Sequence, residues 1–191
     1  MPEGVPARGN PGRHRLRRTF LHNYENRVIP GILQTTGYAG HVFSCHCPPL
    51  DDEEIEGRVQ TRLARHALLR RRPAPIVSFV LEQSVLTRPI GGEHVLKEQF
   101  HHLLDVARLR HVDIQVMPPT RRTHAALNGP IFLLETPEHE QLAYVEGQDG
   151  GSFVSDQARR NHLFTRYSLL RAQAHTPEDS LKLIREIAEA L

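Results

Sequence analysis

Apolar residues change their spacing several times along the chain, and each change marks an element boundary. In "PLDDEEIEGRVQTRLARHALLRRRP", Ile55, Val59, Leu63 and Ala67 recur every fourth residue, which predicts one long helix with a buried stripe. Acids crowd its start and arginines its end, complementing both poles of the helix dipole. After Pro73 and Pro75 the pattern becomes β-branched and aromatic. "PIVSFVLEQS" predicts a buried strand ending near Glu82. A helix over residues 92–108 follows, with Leu96, Phe100, Leu103 and Ala107 on one face. In "HVDIQVMPP", Val112, Ile114 and Val116 alternate with polar residues, as a half-buried strand requires. "GPIFLLET" and "QLAYVEG" flank a turn at Pro137–Glu140 and predict an antiparallel hairpin, with a short strand at residues 152–154 beyond it. The last forty or so residues predict two helices, one carrying Leu163, Tyr167, Leu170 and Ala174, the other opened by Thr176 as N-cap and Pro177 at the first helical position. Upstream, "TFLHNYENRV" reads as a short helix stopped by Pro30-Gly31, and a second helix is expected from about Ile32 to Phe43. The sum is an α+β fold: a small, mostly antiparallel sheet packed with N-terminal and C-terminal helices.

Composition sets the number of domains. With 191 residues and 39% hydrophobic content, the chain supports one core. That core is expected in residues 19–191. Residues 1–18, "MPEGVPARGNPGRHRLRR", hold prolines, glycines and few large apolar side chains, so they read as a flexible basic arm. Arg8, Arg13, Arg15, Arg17 and Arg18 give that arm a weak, nonspecific grip on DNA phosphates at most, because the net charge of the whole chain is only +2. No apolar run approaches the roughly 18 residues of a membrane span, and no secretory leader pattern opens the chain. Two cysteines too close for an ordinary loop-closing bridge fit a reducing, cytoplasmic setting.

Candidate chemistry concentrates in a few places. "VIPGILQTTGYA" delivers the chain abruptly into a helix and sets Gln34, Thr35 and Tyr38 on its first turns, where they either satisfy neighbouring backbone or line a ligand site. Glu82, at the end of an apolar strand, needs a partner, and Arg88 is the nearest in sequence. Glu146 ends another strand before a glycine-rich turn. Arg58, Arg62, Arg65 and Arg72 line one helix face, either as an anionic binding surface or as a solvated row supported by pairs such as Glu54 with Arg58. His41, Cys45, His46 and Cys47 carry soft metal donors, but neighbouring positions converge poorly on one ion, so the Cys45-His46-Cys47 segment is read without metal. No cofactor motif or nucleophilic triad is present.

Five phrases in order, "VIPGILQTTGYA", the arginine-rich helix, "VLEQSVLTRPIGG", "VDIQVMPPTRRTHAALNGPIFLLE" and "LAYVEGQDGG", resemble the C-terminal domain of unknown function of actinobacterial antitoxin-like transcriptional regulators of the XRE helix-turn-helix type. The resemblance covers roughly residues 19–191. Relatives of that kind usually carry a helix-turn-helix domain before this segment, and here only the basic arm stands there. The resemblance implies a regulatory domain that binds a small molecule or a partner protein, with a homodimer left open; the residues themselves nominate Gln34, Thr35, Tyr38, Glu82, Arg88 and Glu146 as the binding site. The alternative is a small standalone biosynthetic enzyme of secondary metabolism derived from that sensing domain, with Glu82, Glu146 or His124 as general acid or base in an apolar pocket. On either reading the arm contributes little to the core. Deleting residues 1–18 is expected to leave the melting temperature unchanged and to abolish a weak, sequence-indifferent DNA retardation that fades as salt rises; nanomolar preference for one operator at physiological salt would contradict it.

Overall fold

The computed structural model describes residues 18–147 and 150–191. Most of the basic arm, with Arg8, Arg13, Arg15 and Arg17, lies outside the described residues, and Arg18 is exposed. The fold is α+β, built on a six-stranded mixed sheet in the order β3-β2-β1-β4-β5-β6. The strands are β1 (Phe20–Glu25), β2 (Ile76–Glu82), β3 (Val112–Met117), β4 (Ile131–Glu135), β5 (Gln141–Gly147) and β6 (Gly150–Phe153). β1, β2 and β3 run parallel, whereas β4, β5 and β6 continue the sheet antiparallel from β1. The hairpin predicted at residues 129–147 is therefore present, as is the short strand after it.

β1 corrects the sequence reading. The segment expected as a short helix is the central strand of the sheet, paired on both edges. Its polar residues hid the strand period: His22 and Tyr24 face one side, Leu21, Asn23 and Glu25 the other, so neither face reads as purely apolar. Pairing on both edges overrides the local preference.

A parallel partner cannot be reached by a tight turn, so the chain crosses over one face between β1 and β2. This crossover holds a 3-10 turn (Gly31–Leu33), α1 (Thr36–Ser44), α2 (Asp52–Ala64) and α3 (Ala67–Arg70). The helix expected at residues 32–43 thus begins later, because Thr35 is extended and caps α1 by accepting the Tyr38 N–H. The long arginine-rich helix is two, broken after Arg65. Of its expected stripe, only Val59 is fully buried, and Ala67 is exposed. Glu54 closes a capping box with Asp51 rather than pairing with Arg58. Between β2 and β3 lie α4 (Gln83–Thr87), which the sequence pattern did not predict, and α5 (Gly92–Val106). α6 (Gln157–Gln173) covers the opposite face, and α7 (Pro177–Glu189) packs beside α5 against β3. The cap expected at the last helix is present, Thr176 on α7, and Asp156 caps α6 in the same way.

Two apolar clusters result, one on each face. On the crossover face Leu21, Phe79, Leu81, Ile114 and Val116 meet Leu33, Tyr38, Phe100 and Leu103. On the other, Tyr24, Val80, Met117 and Leu133 meet Leu163, Tyr167 and Leu170 of α6. β3 is buried nearly throughout rather than half-buried, because both faces are covered. Its outer edge is occupied at Val116, whose N–H donates to Ser180 Oγ at 2.9 Å and whose carbonyl accepts the His175 N–H at 2.9 Å.

Polar side chains fasten the crossover to the core. Gln99 of α5, fully buried, accepts the Thr35 N–H at 2.8 Å and donates to the Leu33 carbonyl at 2.6 Å. Gln34 donates to the Ile29 carbonyl at 2.6 Å and accepts from Arg62 Nη1 at 2.7 Å. Arg62 also lies 4.1 Å from the centre of the Phe43 ring, so the arginine face of α2 is partly drawn into the structure. Gln99→Leu keeps the volume but strands two buried backbone groups, at roughly 1–3 kcal/mol each. A clear fall in thermal and urea midpoints is expected; an unchanged midpoint would show that the brace contributes nothing.

Candidate functional site

The helices of the crossover cover the β3, β2 and β1 side of their face and leave the β4, β5 and β6 side open. Alternation along the strands grades this open face. Leu21, Leu134 and Leu142 form one row by register; Asn23, Phe132, Tyr144 and Phe153 form the next. Two residues further along their strands, on the same face, come Glu25 and Glu146. The sheet therefore offers an apolar row, an aromatic row and an acidic end within four residues of strand.

Two cavities follow this gradient and meet at Phe132. The apolar one, about 340 Å³, lies between Leu21, Leu134 and Val77 of the sheet and Ile32, Leu68 and Leu69 of the crossover. The polar one, also about 340 Å³, is lined by Asn23, Glu25, Tyr144, Glu146 and Phe153, with Arg65 reaching in from the end of α2. Each falls within the size range of small-molecule pockets.

Local structure positions each group. Asn23 is buried and donates to the Ile131 carbonyl at 3.3 Å, which ties β1 to β4 at the cleft floor. Tyr144 lies across β6 because residue 151 is glycine: a Cβ there would fall 2.0 Å from the ring carbon that bears the hydroxyl. Phe153, 72% exposed, stands edge-on to Tyr144 with ring centres 5.4 Å apart. Glu146 accepts a loose 3.5 Å contact from Arg27, both half-exposed at the rim. Glu25 has no ion pair among the described residues. Its carboxyl pKa is pushed up to about 7, first by burial and second by the nearby Glu146, with Arg27 and a hydrogen bond from Asn23 each opposing more weakly.

The residues singled out in the sequence do not converge on one site. Gln34 and Thr35 are buried in the brace, and the Tyr38 hydroxyl accepts the Ile29 N–H at 3.3 Å. Arg88 is exposed beyond α4 and forms no ion pair with Glu82 among the described residues. Glu82 instead lies on the α6 face, where its Oε1 accepts from the Tyr24 hydroxyl at 2.8 Å and pairs with His124 Nε2 at 3.0 Å. His124 Nδ1 accepts the Ala126 N–H at 3.3 Å, which leaves the ring proton on Nε2, pointing at Glu82. Burial and the Glu82 contact push the Tyr24 hydroxyl pKa upward. Glu82 and Glu146 thus sit on opposite faces of the sheet, and only Glu146 borders the open cleft. Cys45 donates to the His41 carbonyl, and His46 Nδ1 contacts the Pro48 carbonyl. Among the described residues no three His, Cys, Asp or Glu side chains gather where a metal ion could be held.

The chain matches, over residues 19–186, the family defined as a domain of unknown function, DUF5753. It belongs to that family. No curated protein and no solved structure matches the chain. The family supplies no chemistry for its members, so for this DUF5753 domain the cleft must be read from its own residues. No helix among the described residues is long and apolar enough to cross a membrane.

Asn23, Glu25, Phe132, Tyr144 and Phe153 were not singled out from sequence. The signal was an amide and a carboxylate two residues apart in a segment that proved to be the central strand, and it was invisible while that segment read as a helix.

The raised carboxyl of Glu25 has a definite consequence for stability. Between about pH 4.5 and 7 the folded chain holds a proton there that the unfolded chain has lost, so stability falls as pH rises through this window. Glu25→Gln removes the effect. The variant is expected to match the parent at pH 4 and to melt higher at pH 8, by on the order of 2 kcal/mol. A lower melting point at pH 8 would mean that the Glu25 carboxylate is stabilised rather than strained.

Proposed function

We propose that the chain is a regulatory, ligand-binding domain whose ligand occupies the open half of the crossover face. The observation that carries this reading is the graded cleft: an apolar cavity and an acidic one that share Phe132 and together expose side chains of β1, β4, β5 and β6. A sheet face with buried Asn23 and half-buried Glu25 on its central strand is a costly arrangement unless something uses it. The regulatory part of the proposal rests on the five phrases that resemble the C-terminal domain of actinobacterial antitoxin-like XRE regulators. On this reading the domain answers a small molecule and passes the change to a DNA-binding partner.

The enzyme alternative has less support. Both ring nitrogens of His124 are engaged, its side chain is 6% exposed, and Glu82 is shared between His124 and Tyr24. That arrangement suits a lock between the residues 118–130 segment and the sheet better than proton transfer to a substrate.

Amide shift mapping with a fragment library of anionic, neutral and cationic aromatics tests the site. Shifts are expected to gather on Asn23, Glu25, Phe132 and Tyr144, and Gly151→Ala, which displaces the Tyr144 ring, is expected to remove them. Shifts from every charge class gathering elsewhere would overturn the cleft as the binding site.

A further inference from the structure

The cleft's chemistry narrows what it takes, given the reading of it as the binding site. Its two ends differ. Leu21, Ile32, Leu68, Leu69 and Leu134 surround the inner cavity. Glu25 and Glu146 close the other end, some four residues of strand away, or about 13 Å at the ~3.3 Å rise per residue of a strand. Phe132, Tyr144 and Phe153 form the floor between. Aromatic faces and carboxylates attract the same kind of partner, a positive charge carried on an apolar body.

The cationic side chains at the acidic end do not cancel this preference. Arg27 holds Glu146 only loosely at 3.5 Å, with both groups near half-exposed, a pairing that contributes little in water. Arg65 is exposed at the mouth. Glu25, set deeper, has no cationic partner among the described residues, and at its carboxyl the repulsion from Glu146 outweighs the attraction of Arg27. A carboxylate in that position gains most from an incoming cation.

We infer that the cleft binds an amphipathic organic cation, an amine whose apolar body fills the cavity under α3 while its ammonium group sits between Glu25 and Glu146. The body is shielded from water by Leu68 and Leu69. The nitrogen hydrogen-bonds to carboxylate oxygens and displaces Arg27 from Glu146.

Isothermal titration at pH 8 with three probes of one shape tests this: 4-phenylbutylammonium, 4-phenylbutan-1-ol and 4-phenylbutyrate. The ammonium is expected to bind at least tenfold more tightly than the alcohol, with the carboxylate weakest. Glu25→Gln and the exposed-rim Glu146→Gln are each expected to weaken the ammonium by about tenfold and leave the alcohol unchanged, while Leu68→Ser weakens both. Equal binding of ammonium and alcohol, or tighter binding of the carboxylate, overturns the charge preference while the cleft reading stands if Gly151→Ala removes that binding. Failure of all three probes to bind also overturns the inference, and the separate fragment mapping then decides whether the cleft binds anything.

Discussion

Two parallel strands cannot be joined by a hairpin, and this single constraint shapes the molecule. Because β2 runs parallel to β1, some fifty residues must travel over one face before the chain can return, and they do so as a 3-10 turn and three helices. β3, parallel again, adds α4 and α5 to the connections. Once the chain reverses at β4, short turns join β4, β5 and β6, and the helix that later returns to that face, α7, packs at its β3 side beside α5. The half-covered sheet, and hence the cleft, follows from strand direction rather than from any special loop.

The crossover must also be held down. Its polar fastenings come from three elements, with Gln99 from α5, Arg62 from α2 and Gln34 from the segment itself. Each satisfies backbone or side-chain groups that burial would otherwise leave without partners. The inner wall of the cleft is therefore set by hydrogen bonds with few alternatives, while its outer wall, β6, is short and exposed. A rigid wall opposite a thin one is a suitable frame for admitting a ligand without disturbing the core.

Much of this was legible in the sequence, and the failures have physical causes. β2, β3 and the β4–β5 hairpin announced themselves through β-branched runs, alternation and turn residues, and the two C-terminal helices through Thr176-Pro177 and a regular apolar stripe. β1 did not, because a central strand carrying His22, Asn23 and Glu25 breaks the apolar pattern that identifies such strands. The same residues make the cleft, so the error in structure and the omission of the site share one cause. Gln34 and Thr35 were visible as polar residues needing partners, but sequence spacing cannot reveal that Gln99, some sixty-five residues away, supplies those of Thr35. Likewise Glu82 was rightly seen as needing a partner, yet Tyr24 and His124 reach it only through the sheet.

The fastening of the β3 edge has a bearing on how copies of this chain can meet. A sheet extends by recruiting a neighbour's strand, and a molecule with two available edges can propagate such pairing without end, as fibres do. Here Ser180 and the His175 amide already occupy Val116 on one side, so a newcomer would first have to evict them. Strand addition is thereby steered to the β6 side. If only one edge of each molecule were open among the described residues, joining would consume the means of joining and would stop at two.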